Sequence, residues 1–185
     1  GRLTYDYKTK YLAEFSYRYE GSSKFPESHR WGFFPSVSAG WRISEESFWR
    51  NSALSFIDNL KLRGSYGITG DDSGLAYQFV SGYKYPTPTG SGVGRTGLPP
   101  GYIFGDTFVS SSSNAGLANT AITWYKAKTT NIGLDAIAWN GLLGATIEVF
   151  NRDRTGLLAR RVGSLPGIVG AALPQENLNS DQTRG

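Results

Sequence analysis

Trp31-Gly32-Phe33-Phe34-Pro35-Ser36-Val37-Ser38-Ala39-Gly40-Trp41-Arg42-Ile43 is the stretch whose reading decides the fold. Its odd positions are Trp31, Phe33, Pro35, Val37, Ala39, Trp41 and Ile43, nearly all apolar, and its even positions are mostly Gly, Ser and Arg. A period of two marks a strand with one apolar and one polar face, because successive side chains leave a pleated backbone on opposite sides. The run is also long. An ordinary strand has ~5–6 residues, whereas a tilted strand that crosses a bilayer needs ~9–11. Trp31 and Trp41 lie ten positions apart on the same face. At ~3.3 Å per residue that is ~33 Å of strand, or ~25 Å along the membrane normal at a tilt near 40°. This is the height of the apolar band between the two aromatic girdles of a transmembrane barrel.

The same pattern recurs on both sides of this stretch. Upstream, Tyr11, Ala13, Phe15, Tyr17 and Tyr19 alternate with Leu12, Glu14, Ser16, Arg18 and Glu20. Tyr11 and Tyr19 bracket that face as the tryptophans bracket theirs. Downstream, Leu60, Leu62, Gly64, Tyr66 and Ile68 alternate with Lys61, Arg63, Ser65, Gly67 and Thr69. Residues 127–138 and 142–153 follow suit, with Ile132, Leu134 and Ala136 on one face and Asn131 and Asp135 on the other. Gly1-Arg2-Leu3-Thr4-Tyr5 reads as a piece of a further strand. The expectation is therefore all-β: six main strands in an antiparallel up-and-down meander, a partial sector of a large transmembrane β-barrel, with residues 1–185 all part of it. A soluble sheet can show the same alternation, so a secreted β-sandwich lectin or adhesion module and a passive porin stand as rivals.

Connections alternate in length. Residues 6–10 form a short turn and 139–141, Trp-Asn-Gly, a tight one. Residues 22–30 are intermediate, about 70–126 form a long loop, and the chain after 153 reads as another long connection. Barrels of the outer membrane place short turns on the periplasmic side and long loops outside. The expectation puts 6–10, 44–58 and 139–141 on one rim and 22–30 and 70–126 on the other, extracellular one. Ser44 reads as the N-cap of a short helix in the 44–58 corner, with Glu45 and Glu46 in its first turn where the helix dipole favours acids. In the long loop, short hairpins are expected around 75–80 and 102–109.

Composition narrows the chemistry. The chain has 24 Gly, 14% aromatic residues and no Cys or Met. Without Cys there is no disulfide, thiolate metal site or Cys nucleophile, and the single His29, in a polar stretch, cannot build a His-rich zinc site. Net charge is +4, from 19 Lys+Arg against 15 Asp+Glu, and the charges are scattered. A nucleic-acid partner would want a concentrated basic patch. No apolar run reaches the ~18 residues of a transmembrane helix.

Several motifs resemble sites and are better read otherwise. Gly92-Val93-Gly94-Arg95-Thr96-Gly97 fits G-x-G-x-x-G, but Leu98-Pro99-Pro100 follows where the fingerprint requires a helix. Asp71-Asp72, between Gly70 and Ser73, reads as a turn rather than a Ca²⁺ site. Glu14 and Glu148 are carboxylates on polar strand faces among Arg and Lys, with no spacing that defines a glycosidase pair. No enzyme, cofactor or metal is expected.

The runs 11–25, 30–43 and 58–70, followed by Gly116-Leu117-Ala118-Asn119 and Thr130-Asn131-Ile132-Gly133-Leu134-Asp135, resemble signature segments of the SusC/RagA-like TonB-linked outer-membrane transporters of Bacteroidetes, in the same order. The match covers about residues 1–160 and is weaker over 162–185. The resemblance implies a barrel of about 22 strands closed around a plug. It also implies a Gram-negative outer membrane, with its lipids around the wall. Import of a glycan or peptide solute would be driven by the TonB complex through the plug region, with a SusD-like lipoprotein as lid. Lumen-facing candidates are Glu14, Arg18, Lys61, Arg63, Asp135, Glu148 and Arg152. Loop aromatics that could stack on a solute are Tyr83, Tyr85, Tyr102 and Trp124.

Overall fold

The computed structural model describes residues 1–50, 52, 56–85, 101–114, 116–161 and 173–185. The Gly92–Gly97 motif lies outside them. Seven strands form one antiparallel sheet, each paired to the one named before it. They are β1 (Arg2–Tyr7), β2 (Tyr11–Gly21), β3 (Trp31–Arg42), β4 (Ile57–Asp71), β9 (Tyr125–Ala138), β10 (Leu143–Ala159) and β11 (Glu176–Arg184). Between β4 and β9 lie β5 (Tyr83–Lys84) paired with β8 (Ser113–Asn114), and the hairpin of β6 (Gly101–Phe104) and β7 (Thr107–Ser110).

One sheet carries the two-faced pattern throughout. The ladders put Tyr11 opposite Trp41, Trp41 opposite Leu62, Leu62 opposite Leu134 and Leu134 opposite Ile147. All five therefore share a face, because side chains directly opposite in a ladder point the same way. Arg63, Gly133 and Glu148 form an equivalent row on the other face. Among the described residues no second layer covers the apolar face: Ile147 is 64% exposed and Leu3 69%. A β-sandwich would bury these groups between two sheets, so the sandwich rival fails on architecture.

The apolar band does not run level with the ladder rows. On β3 it spans Trp31 to Trp41, and on β10 Leu143 to Val149. Yet Ile147, inside the β10 band, sits in the row of Trp41, at the end of the β3 band. A band that is level in a membrane drifts through the rows when the strands are tilted, and barrel closure requires such tilt and stagger.

Three expectations are corrected. First, among the described residues the main sheet has seven strands rather than six, since β10 continues to Ala159 and β11 follows at Glu176–Arg184. β11 reads Glu-Asn-Leu-Asn-Ser-Asp-Gln-Thr-Arg and carries no apolar alternation. Its strand is held by backbone pairing to β10, which sequence periodicity does not register. Second, Ser44 is not a cap. It lies buried inside a 3₁₀ turn, Ile43–Glu45, whose N-cap is Arg42 with no side-chain bond, and the helix α1 (Ser47–Arg50) is a single turn. Third, residues 76–79 form a turn with Val80 N–H donating to the Tyr77 carbonyl, not a hairpin. The 102–109 hairpin is present as β6 and β7.

The buried core lies at one end of the sheet and consists of Phe25, Phe34, Ile122 and Trp124, with Ile68, Phe79 and Leu158 against it. The β3–β4 ladder stops at Ser36 opposite Gly67. Beyond it the Phe34 ring lies against Gly70 and Gly32, where an added Cβ would come within 2.0 Å and 2.3 Å of the ring. Glycine at those two positions makes room for this ring.

Candidate functional site

Two rims and a polar wall define what this sheet can do. At one rim, the 7–10 turn closes through Lys10 N–H donating to the Tyr7 carbonyl, and Arg42 N–H donates to the Lys10 carbonyl. Glu46 sits beneath it. Its carboxylate accepts from Lys10 Nζ at 3.1 Å, the Tyr11 hydroxyl at 2.8 Å and Trp41 Nε1 at 3.3 Å. The Tyr11 hydroxyl, then Lys10 and Trp41, hold the Glu46 carboxyl below the usual glutamate range. The carboxylate is thus held by three donors, from β2, from β3 and from the turn between β1 and β2, instead of capping a helix that Ser44 begins. Further along the same rim, Trp139 N–H donates to the Phe56 carbonyl and their rings stack at 5.5 Å. The turns at 7–10 and 139–142 are thus both tied to the corner between β3 and β4.

The opposite rim is built from loops. The Ser22 hydroxyl donates to Asp72 at 2.7 Å, Lys24 Nζ to the Asp72 carbonyl at 3.1 Å, and Trp124 Nε1 to the Arg30 carbonyl at 3.0 Å. Asp71 accepts from the Tyr125 hydroxyl and the Ser73 N–H. These aspartates are occupied by protein donors. Asn177 on β11 clasps the chain entering β9, with Thr123 N–H donating to its Oδ1 at 3.0 Å and its Nδ2 donating to the Gly156 carbonyl at 2.6 Å. Gly156 has φ +77° at a bulge between Thr155 and Leu157, a left-handed conformation that favours glycine.

The polar face joins three strands through one arginine. Arg63 on β4 bonds Asp135 on β9 from Nε at 3.1 Å and Glu148 on β10 from Nη1 at 2.7 Å. Asn131 Nδ2 also donates to Glu148, and the Thr146 hydroxyl to Asp135. Gly133 lies under the guanidinium, where a Cβ would fall 2.9 Å from Arg63 Cζ. Of the other residues expected on this face, Glu14 pairs with Arg2 at 2.8 Å and Arg18 with Glu20. Lys61 lies opposite Asp135 and Arg152 opposite Thr129, on the same face as Arg63. A hollow of about 650 Å³ opens on this side, lined by Thr4, Asp6, Glu14, Ser38, Lys61 and Ser65 among others.

The four loop aromatics separate. Tyr83, Tyr85 and Tyr102 are 70–76% exposed. Trp124 is 7% exposed, edge-on to Phe34 and tilted on Phe25 with centroids at 5.2 and 5.3 Å. Its ring has no open face for a solute, which corrects the expectation: it anchors the loop rim. Sequence reasoning also missed Glu46, Gly133 and Asn177. Their roles depend on neighbours that only the strand register supplies.

A tilted antiparallel sheet with one bare apolar face, one ion-paired polar face, short turns at one rim and long loops at the other is a sector of a β-barrel wall. The whole chain, residues 1–185, matches the family described as TonB dependent receptor-like, beta-barrel. The chain belongs to that family of outer-membrane barrels. It is 35% identical over 163 residues to the TonB-dependent receptor SusC of Bacteroides thetaiotaomicron, a match covering 85% of this chain and 15% of that protein. It is 31% identical over 184 residues to TonB-dependent receptor P39 of Formosa agariphila, covering all of this chain and 16% of that receptor. In three dimensions it superimposes on the RagAB peptide transporter with a TM-score of 0.79 at 24% identity, covering all of this chain and 18% of the other. The chain therefore spans about one sixth of the length of the curated relatives it matches.

Proposed function

We propose that this chain forms part of the barrel wall of an outer-membrane importer, driven by the TonB complex through a plug outside this segment and lidded by a SusD-like surface lipoprotein. The observation that carries the reading is the unbroken apolar row Trp41, Leu62, Leu134, Ile147 with the Arg63–Asp135–Glu148 cluster one position away. Such a wall needs lipid on one side and a polar interior on the other. In this reading Glu14, Arg18, Lys61, Arg63, Asp135, Glu148 and Arg152 line the lumen. The 72–124 connection is extracellular, and Tyr83, Tyr85 and Tyr102 offer ring faces to a glycan or to aromatic peptide side chains. A peptide is among the solutes considered because one structure of like fold is a peptide transporter, and the lipoprotein follows from the SusC/RagA-like resemblance of the sequence.

The test uses the full-length protein in cells lacking their own copy. Uptake of labelled oligosaccharides or oligopeptides should depend on the protein, collapse when the TonB complex is absent, and be accompanied by co-purification of a lipoprotein. Uptake that persists without TonB would favour the passive-porin reading.

A further inference from the structure

Asn119 is 8% exposed, and both ends of its amide and its backbone N–H are occupied. The backbone N–H donates to the Gln78 carbonyl at 2.8 Å, Nδ2 donates to the Gln175 carbonyl at 2.7 Å, and Oδ1 accepts from the Ala121 N–H at 2.9 Å. These partners fix the orientation of the amide, because a carbonyl only accepts and an N–H only donates. Gln78 stands near the start of the 72–124 connection, Asn119 near its end, and Gln175 at the end of the connection from β10 to β11. One buried residue thus joins both roots of one long connection to the root of another. Gln78 Nε2 adds a bond to Gln175 Oε1 at 3.4 Å.

Asn177 makes the same joint from the other side. Its Oδ1 accepts from the Thr123 N–H at 3.0 Å, and its Nδ2 donates to the Thr123 carbonyl at 2.9 Å and to the Gly156 carbonyl at 2.6 Å. Ile122, between the two joints, is 1% exposed and packs in the core with Phe25, Phe34 and Trp124. Segment 119–123 is therefore held to 175–177 by two side-chain amides over a closed apolar layer. Connections outside the strand ladders ordinarily open at little cost, and these roots are closed. Between its roots the first connection carries Tyr83, Tyr85 and Tyr102, all exposed. Asn119 itself is too buried to meet a solute.

We infer that Asn119 is a positioning residue of the import site: with Asn177 it binds the two connections into one body and so fixes where the exposed tyrosines stand at the mouth. The joint rests on the hydrogen bonds alone, and its consequence for a solute rests on the import reading. Asn119→Asp separates the joint from the local turn. An ionised aspartate only accepts, so it keeps the Ala121 N–H and sets an oxygen against the Gln175 carbonyl.

The test follows deuterium exchange in the full-length protein in detergent, read by mass spectrometry. N119D should speed exchange over 75–80, 117–123 and 173–175 together, by roughly tenfold, and leave β3, β4 and β9 unchanged. N177D should reproduce this, and T120A, at an exposed neighbour, should not. In cells given a fluorescein-labelled tryptic peptide pool, N119D and N177D should raise the half-saturating concentration severalfold and keep the maximal uptake rate. An unchanged thermal midpoint shows that the barrel is intact. Exchange that rises only at 119–121, or in neither variant, overturns the joint. Fast exchange with unaltered half-saturation overturns the positioning role. A parent protein that takes up no peptide while both variants exchange faster overturns peptide import and leaves the joint standing.

Discussion

Arg63 reaches Glu148, two strands away, by lying across the bare backbone of Gly133 on the strand between them, with 2.7 Å between Nη1 and the carboxylate. A planar guanidinium can satisfy Asp135 and Glu148 together only if nothing stands in that place, and every residue other than glycine has a Cβ there. This one contact locks β4, β9 and β10 into a single polar row. A lysine at position 63 would supply charge without the fork that holds two carboxylates at once.

The first prediction follows from that geometry. Gly133→Ala should displace the guanidinium and uncouple Arg63 from Glu148, and Arg63→Lys should do the same with the glycine intact. In a double-mutant cycle of the full-length protein, R63A and E148A should be strongly non-additive, and in the G133A background that coupling should largely vanish. Additivity in the parent protein would show that the pair does not act as a unit.

The second prediction concerns the loop-rim core. The Phe34 ring occupies the space that a Cβ on Gly70 would enter, at 2.0 Å. Gly70→Ala should destabilise by ~1–3 kcal/mol through overpacking, and adding Phe34→Leu should recover part of that loss. Denaturant unfolding in detergent reads both. A neutral G70A would show that the ring can move aside.

The third prediction tests the faces. Leu134 and Asp135 are adjacent in sequence and opposite in orientation. Leu134→Arg at mid-bilayer should cost ~2–4 kcal/mol, whereas Asp135→Asn should leave membrane insertion unaffected and disturb only the Arg63 cluster. Equal tolerance of both changes in a refolding assay into lipid vesicles would contradict the assignment.

The fourth prediction is a pH dependence at the turn rim. Hydrogen bonds from Tyr11, Lys10 and Trp41 lower the folded-state pKa of Glu46. A carboxylate whose folded pKa is depressed contributes stability that is present above its unfolded value and lost as pH falls through the folded one. The stability gap between the parent protein and Glu46→Gln should therefore be constant near neutrality, shrink as pH drops through the ordinary glutamate range, and close below it. A gap that is unchanged across that window would show that the charge does not matter there.

The fifth prediction concerns the 185-residue chain by itself. Among the described residues its sheet has free edges at β1 and β11 and an uncovered apolar face. Exposed edges and large apolar patches invite association. In buffer it should aggregate, and detergent should keep it dispersed; a cooperatively melting monomer without detergent would contradict this.

Strand positions were legible because alternation is local: β2, β3, β4, β9 and the lower part of β10 announce themselves through residues such as Tyr11, Val37, Leu62, Leu134 and Ile147. β11 was not, because its side chains carry no period and its identity as a strand comes from backbone bonds to β10. The helix-cap reading of Ser44 and Glu46 failed for a related reason. Local rules describe what a residue would do beside its sequence neighbours, and Glu46 is claimed by Lys10, Tyr11 and Trp41 instead. Trp124 looked like any loop aromatic until Phe25 and Phe34 were brought onto it.

The sequence by itself determined the all-β class and the two faces of each strand, since both are encoded in residues one or two positions apart, and the long-loop asymmetry, since the alternation stops for few residues at 139–141 and for many between 70 and 126. Tertiary structure alone decided which polar residues meet. The fold joins partners as distant as Trp124 and the Arg30 carbonyl, 94 positions apart, and within the ladders a one-residue slip would send every side chain to the other face. That is why Gly133 is a spacer on paper and the floor of an ion-pair cluster in the folded wall.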